Sequence, residues 1–282
     1  MIPRAYRHDL NGSRLTPGET VVECSRLSLG FGGVQALDAV SLDVVQGHIH
    51  SVIGPNGAGK SSLLNCVSGL YRPQQGSITL HTDRGPHELA GRPPHRIARL
   101  GVARSFQNIE LFSHLTVLEN LMLGRHIHMS TALLPALLWF GPARRAEIAH
   151  RELVEEVIDL LDIQEVRNTP VGALAYGIQK RTELGRALCM QPGLLLLDEP
   201  MAGMNAEEKE DMARFILDVH ELAGVTVVLI EHDMNVVMDI SDQVTVLDFG
   251  RVIADGPPAE VKRNPDVIAA YLGSAASEAV EQ

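Results

Sequence analysis

The hydrophobic pattern changes period several times along the chain. From Val21 the sequence is strand-rich. In SLDVVQGHIHSVIG the apolar positions first alternate and then run on continuously, with Gly47 as a turn. The pattern predicts a buried strand at His50–Ile53 that runs into a glycine-rich loop, a helix over 61–68 and a short strand over 77–82. Gly91 to Pro94 marks a loop, and the stretch from Ile97 to Val102 leads into RSFQN. From Thr116 to Leu161 the pattern is helical. Within it, Ala149, Leu153, Val157 and Leu160 form an apolar stripe between charges that make a solvated face. GLLLLDEP (193–200) and VTVVLIEHD (225–233) are continuous apolar runs that end in acids. Such runs suit buried parallel strands whose C-terminal ends carry chemistry. QVTVLDFGRVIADG reads as a hairpin turning near Phe249-Gly250, and there is no internal repeat. Residues 1 to about 20 read as a loose polar tail.

Composition narrows this picture. A chain of 282 residues with 45% hydrophobic residues can bury one large α/β core, with or without a smaller lobe. Aromatics are only 4%, so that core is expected to be aliphatic. Lys plus Arg number 24 against 35 Asp plus Glu, for a net charge of -11, which disfavours a bulk nucleic-acid binder. The three cysteines, Cys24, Cys66 and Cys189, lack metal-ligand spacing and read as buried residues of a reducing compartment. The first twenty residues contain no apolar signal-peptide core, and the longest apolar stretch, Ala132 to Phe140, contains Pro135. It is far short of the roughly 20 residues needed to span a bilayer. The expectation is a soluble or peripheral protein whose membrane role, if it has one, needs a partner.

The chemistry begins with GPNGAGKS at 54–61, which matches G-x-x-x-x-G-K-[ST] between a strand and a helix. Gly54, Gly57 and Gly59 let the loop fold so that its N–H groups face phosphate oxygens, and the helix N-terminus adds positive potential. Gly54, Pro55, Asn56, Gly57, Ala58, Gly59, Lys60, Ser61 and Ser62 are the candidate phosphate cradle. Lys60 reaches the β and γ phosphates, and Ser61 offers its hydroxyl to Mg²⁺. A nucleotide site of this kind needs an acid at the end of a neighbouring strand. Asp198 closes the LLLLD run and is placed to hold Mg²⁺ through water. Glu199 follows at once and is the candidate general base for the attacking water.

The remaining motifs resemble the ABC ATPase family in order and spacing over residues 21 to about 258. Phe31 lies where that family places an aromatic on adenine. Gln107 in RSFQN matches the glutamine that touches Mg²⁺ and the attacking water. LAYGI at 174–178 stands where the signature motif LSGGQ belongs, MAGMN (201–205) matches the D-loop, and His232 in IEHD matches the switch histidine on the γ-phosphate. The segments FGGVQAL, RSFQNIELFSHLTVLENLMLGRH, LAYG, DEPMAGMN, VLIEHDM and AAYLG are similar to the ATPases of branched-chain amino acid uptake systems. Urea-uptake ATPases and the lipopolysaccharide-export ATPase look similar as well. One departure matters: Ala175 replaces the signature serine and Ile178 the glutamine, leaving the Gly177 N–H and the helix N-terminus toward the opposite subunit's nucleotide.

The resemblance implies an α/β fold: a P-loop NTPase (RecA-like) core with an antiparallel β subdomain and a helical subdomain at about 108–182. The cassette would cover 21–258, with a C-terminal extension at 259–282. It implies ATP and Mg²⁺ as ligands, and head-to-tail dimerisation with a second, non-identical ATPase subunit. It also implies transmembrane permease subunits fed by a periplasmic binding protein, and a place on the cytoplasmic face of the bacterial inner membrane. Three rival classes fit less well. A soluble ABC ATPase of DNA repair or translation would carry a coiled-coil insertion or two cassettes. A GTPase would show N-K-x-D. A non-catalytic regulator would lose Glu199 or His232.

Overall fold

In a computed structural model the described residues are 16–105, 109–128 and 142–278. Gln107 and the run from Ala132 to Phe140 lie outside them. Two sheets organise the chain. The first is antiparallel, in the order β2-β1-β4-β5, from β1 (Thr20–Phe31), β2 (Val34–Val45), β4 (Gln75–Thr82) and β5 (Gly85–Glu88). The second has the order β10-β9-β3-β8-β7-β6, from β3 (Ile49–Ile53), β6 (Val102–Arg104), β7 (Leu194–Asp198), β8 (Thr226–Ile230), β9 (Gln243–Asp248) and β10 (Arg251–Gly256). In it β6, β7, β8, β3 and β9 are parallel, and β10 closes the edge as the antiparallel arm of the hairpin. Every residue of β3, β7 and β8 is buried, which is why β7 and β8 run apolar through LLLL and VVLI, while the two polar residues of β3, His50 and Ser51, pair with Thr245 and Ser241.

The helices are α1 (Lys60–Val67), α2 (Pro94–Ala98), α3 (Val117–Gly124), α4 (Pro142–Leu160), α5 (Tyr176–Leu188), α6 (Ala206–Ala223), α7 (Met234–Ile240), α8 (Pro258–Val261) and α9 (Pro265–Glu278). Helix α3 starts at a capping box in which Thr116 accepts from the Glu119 N–H and Glu119 accepts from the Thr116 N–H. Helices α3, α4 and α5 form a lobe on the parallel sheet. Gly185 of α5 sets their spacing, because a methyl there would meet Leu161, Leu121 and Val157 at 2.9–3.4 Å. Buried Arg125, just after α3, is tied to the C-terminal end of α5 and the loop that follows it, its Nη1 donating to the Cys189 carbonyl (2.7 Å) and to Gln191 Oε1 (2.8 Å).

This is the expected α/β core with an antiparallel sheet and a helical lobe, and all three cysteines are buried and free. Two local expectations change. The helical pattern from Thr116 is not one helix: α3 ends at Gly124 and passes into a 3₁₀ turn at Arg125–His128 before α4. Gly124 lies so close to the Arg186 carbonyl that no side chain fits there. The buried stripe of α4 is Leu153, Val154, Val157 and Ile158, continued by Leu161 just past its end, whereas Ala149 is exposed and Leu160 only partly covered. The helix is thus rolled toward its bulkier residues, each of which contributes about 1.5–3 kcal/mol on full burial. No helix of the described residues is long and apolar enough to cross a membrane.

Candidate functional site

The site forms where three parallel strands end side by side. Strand β3 runs out at Ile53 into the loop Gly54–Gly59, and α1 begins at Lys60 with Gly59 as its N-cap. Gly54, Gly57 and Gly59 have φ of 145°, 79° and 102°, a region that side-chain-bearing residues avoid. Gly54 and Gly59 also press on backbone, on the Leu247 and Ala36 carbonyls respectively, so a Cβ would not fit at either. The β9–β10 hairpin braces the loop from outside, the Gly250 N–H donating to the Ala58 carbonyl at 3.0 Å. Within the loop the Ala58 N–H donates to the Pro55 carbonyl, Asn56 and Gly57 are exposed, and Ser61 and Ser62 open α1 half-buried. Lys60 Nζ donates to the Gly54 and Pro55 carbonyls at 2.8 and 2.9 Å. Burial pulls its pKa down, against the opposing pull of Glu199 and Asp198.

Strand β7 delivers Asp198, 2% exposed, with Oδ1 3.4 Å from the Ser61 hydroxyl and Oδ2 accepting from Arg104 Nη2 at 2.9 Å. Arg104, at the end of β6, also donates to Asn65 Oδ1 and Ser68 Oγ of the α1 segment, so one guanidinium spans the cradle helix and two strands. Burial raises the Asp198 pKa and Arg104 counteracts it. Glu199 sits at φ 51°, unusual for a residue with a side chain, and its N–H donates to the Ile230 carbonyl at 2.9 Å. Its Oε1 lies 2.7 Å from His232 Nε2, which arrives from the end of β8. Two hard oxygen ligands, Ser61 Oγ and Asp198, lie together, and no cluster of three metal-ligating side chains occurs among the described residues. That donor set suits Mg²⁺, which takes one or two protein oxygens and fills its octahedron with phosphates and water.

Glu231 lies behind this pair. It is 4% exposed; Oε1 accepts from the Met201 N–H at 2.8 Å and Oε2 from the His232 N–H at 3.1 Å. Burial raises its pKa, because ionisation there forfeits hydration. The turn 201–205 leads into α6 through a second capping box, Asn205 with Glu208. The same turn touches the start of α5. The Tyr176 ring lies against Gly203, and Glu208 lies against Gly177. Ala175 is the N-cap of α5 and gives it no side-chain hydrogen bond. Phe31, at the tip of β1, is 48% exposed and meets Tyr71 edge-on at 5.2 Å between centroids.

A glycine cradle on a helix N-terminus, with Asp198, Glu199 and His232 gathered from adjacent strand ends, is an arrangement for phosphoryl chemistry. Comparison with known proteins identifies it. Residues 37–202 match the family model for the ABC transporter, and residues 251–277 match that for the branched-chain amino acid ATP-binding cassette transporter. The chain belongs to the ABC transporter family. It is 42% identical over 255 residues to the high-affinity branched-chain amino acid transport ATP-binding protein BraF of Pseudomonas aeruginosa, covering 90% of this chain and 98% of that one. With LivG of Escherichia coli K12, another such transport ATP-binding protein, the identity is 40% over 257 residues, covering 91% and 99%. A cassette of an ABC transporter solved in its ADP conformation superposes with a TM-score of 0.76 at 27% identity, covering 90% of this chain and 99% of that one. Cassettes of this family bind nucleotide, and this one is a transport-coupled ATPase.

The cassette brings Gly54–Ser62, Asp198, Glu199 and His232 into one place. Ala175 and Gly177 stand apart, on the start of α5 beside the D-loop turn. Gln107 is outside the described residues. Sequence reasoning missed Arg104 and Glu231. Arg104 follows an apolar strand into RSFQN, and Glu231 ends an apolar run, but neither spacing says what the side chain reaches.

Proposed function

We propose that this cassette powers the uptake of branched-chain amino acids, as one of two non-identical ATPases docked on permease subunits at the cytoplasmic face of the bacterial inner membrane. A periplasmic binding protein feeds the permease. Full-length similarity to BraF and LivG, joined to the C-terminal match at 251–277, carries this reading.

In the proposed mechanism the P-loop N–H groups and Lys60 take the β and γ phosphates, and Phe31 covers the adenine. Lys60 exchanges the Gly54 and Pro55 carbonyls for phosphate oxygens. Ser61, Asp198 and Gln107 would hold Mg²⁺, which when bound would neutralise phosphate charge. Glu199 takes the proton of the attacking water, and His232 holds Glu199 at 2.7 Å and faces the γ-phosphate. The signature helix, with Gly177 and without a serine at Ala175, completes the partner's site in a head-to-tail dimer. The missing hydroxyl costs that site about 0.5–1.5 kcal/mol as a neutral hydrogen bond. The site on this chain's own P-loop is therefore the faster one.

The test is transport by proteoliposomes holding this chain, its partner ATPase, the permease and the binding protein. Radiolabelled leucine, isoleucine and valine should be taken up with ATP inside, and Glu199→Gln should stop uptake. Transport of urea without leucine would overturn the cargo. Placing the Glu→Gln change in one subunit at a time tests the asymmetry. More phosphate release left by Glu199→Gln here than by the matching change in the partner would reverse it.

A further inference from the structure

The C-terminal segment is packed against the nucleotide cradle. Ile53, the last residue of β3, does not share its core with the neighbours that bury the rest of that strand. It joins a separate cluster with Val237 of α7, Val244 and Val246 of β9, Val261 of α8 and Val267 of α9, and Tyr271 packs against it. Val267 and Tyr271 are four residues apart and so share one face of α9, whereas Ile268, off that face, is 48% exposed. The Tyr271 hydroxyl reaches past the cluster to the next residue of the chain, accepting a hydrogen bond from the backbone N–H of Gly54. Gly54 is the first glycine of the P-loop, at φ 145° and jammed against the Leu247 carbonyl. The residues on the P-loop side of this contact lie within the general ABC match (37–202). Tyr271 lies within the branched-chain match (251–277).

We infer that Tyr271 is a positioning residue for the nucleotide: from α9 it fixes the Gly54 peptide, and through it the loop that receives the phosphates. The inference rests on the reading of Gly54–Ser62 as the phosphate cradle. A left-handed glycine at the head of a loop is the position where the chain has most freedom to lose, so an external hydrogen bond there lowers the entropy of closing the loop on its ligand. Tyr271 touches no phosphate. It acts through Gly54, and its effect belongs on nucleotide affinity rather than on the hydrolytic step.

Tyr271→Phe keeps the ring and the packing and removes only the hydroxyl. Equilibrium binding of Mg-ATP to the full chain should weaken about three- to tenfold, the worth of one hydrogen bond. In the assembled transporter the KM for ATP should rise by a similar factor with kcat unchanged. Amide exchange read by mass spectrometry should quicken across residues 52–60 and not across β7. Melting temperature, governed by the cluster itself, should hardly move. Unchanged affinity together with unchanged exchange at 52–60 overturns the inference, and so does a fall in kcat at constant KM. A wild-type chain that binds no Mg-ATP at all overturns the cradle and its clasp together.

Discussion

Replacing Glu231 by Gln changes one oxygen to an amide and nothing in size. The carboxylate accepts from two backbone donors, the Met201 N–H at 2.8 Å and the His232 N–H at 3.1 Å. A glutamine carbonyl serves one of them, and its NH₂ then confronts the other, donor against donor. A buried donor left unpaired costs about 1–3 kcal/mol. Met201 is fully buried, so the carbonyl should stay with it and the mismatch should fall on His232. Movement of the His232 backbone carries the imidazole off Glu199, now 2.7 Å away. If about 1.4–2.8 kcal/mol of that cost reaches the transition state, kcat falls about ten- to a hundredfold. The P-loop is untouched, so the KM for ATP should hold. Stability should move in the other direction with pH. Burial raises the Glu231 pKa above the ordinary 4.5 in the folded chain. Its protonated form therefore stabilises the fold fully below that value, and this contribution is lost as pH rises through the raised pKa. Glutamine has no such loss, so the melting temperature of Glu231→Gln relative to wild type should climb between acid and neutral pH. Steady-state phosphate release and scanning calorimetry across pH measure both effects. A normal kcat, or a rise in KM that matches the fall in kcat, would refute the positioning role.

Glu199→Gln should retain ATP binding and lower turnover by about 10²–10⁴, read as phosphate release in the assembled transporter. Lys60→Ala should weaken nucleotide binding itself, measured by titration of the isolated chain with Mg-ATP. Gly185→Ala should press a methyl on Leu161, Leu121 and Val157 and destabilise the helical lobe by about 1–3 kcal/mol, seen in chemical denaturation. Buried His50 donates to or accepts from Thr245 Oγ1 at 2.7 Å, and burial lowers its pKa from 6.5 to about 4. Its neutral form is the one that fits, so stability should be lost as pH falls from about 6.5 toward 4. His50→Gln should flatten that part of the melting curve.

Strands that carry the chemistry were legible because burial on both faces writes itself as LLLLD and VTVVLI, and because the cradle and the acids each follow directly in sequence on their own strand. Contacts made across the fold were not. Arg104 reaches Asp198 and Asn65 from a third strand, and Tyr271 reaches Gly54 across more than two hundred positions. The α4 stripe was misplaced because i, i+4 spacing fits two adjacent faces of one helix; which face is buried depends on where α3 and α5 lie. Helix α6 had a readable start in Asn205 and Glu208, and the capping box forms as that spacing requires. Strand β5 left no signal, since GPHE has neither an apolar run nor β-branched residues, and it holds to β4 by its ladder and by Glu88 Oε1 accepting from the Ile78 N–H.

The pairing of Glu199 with His232 also bears on readiness. Two side chains delivered by neighbouring strand ends meet at 2.7 Å in the chain as it stands, so the carboxylate is aimed before any nucleotide arrives. Under the proposed mechanism that aim need not be found at the moment of reaction, and the cost of orienting the group is met in folding instead.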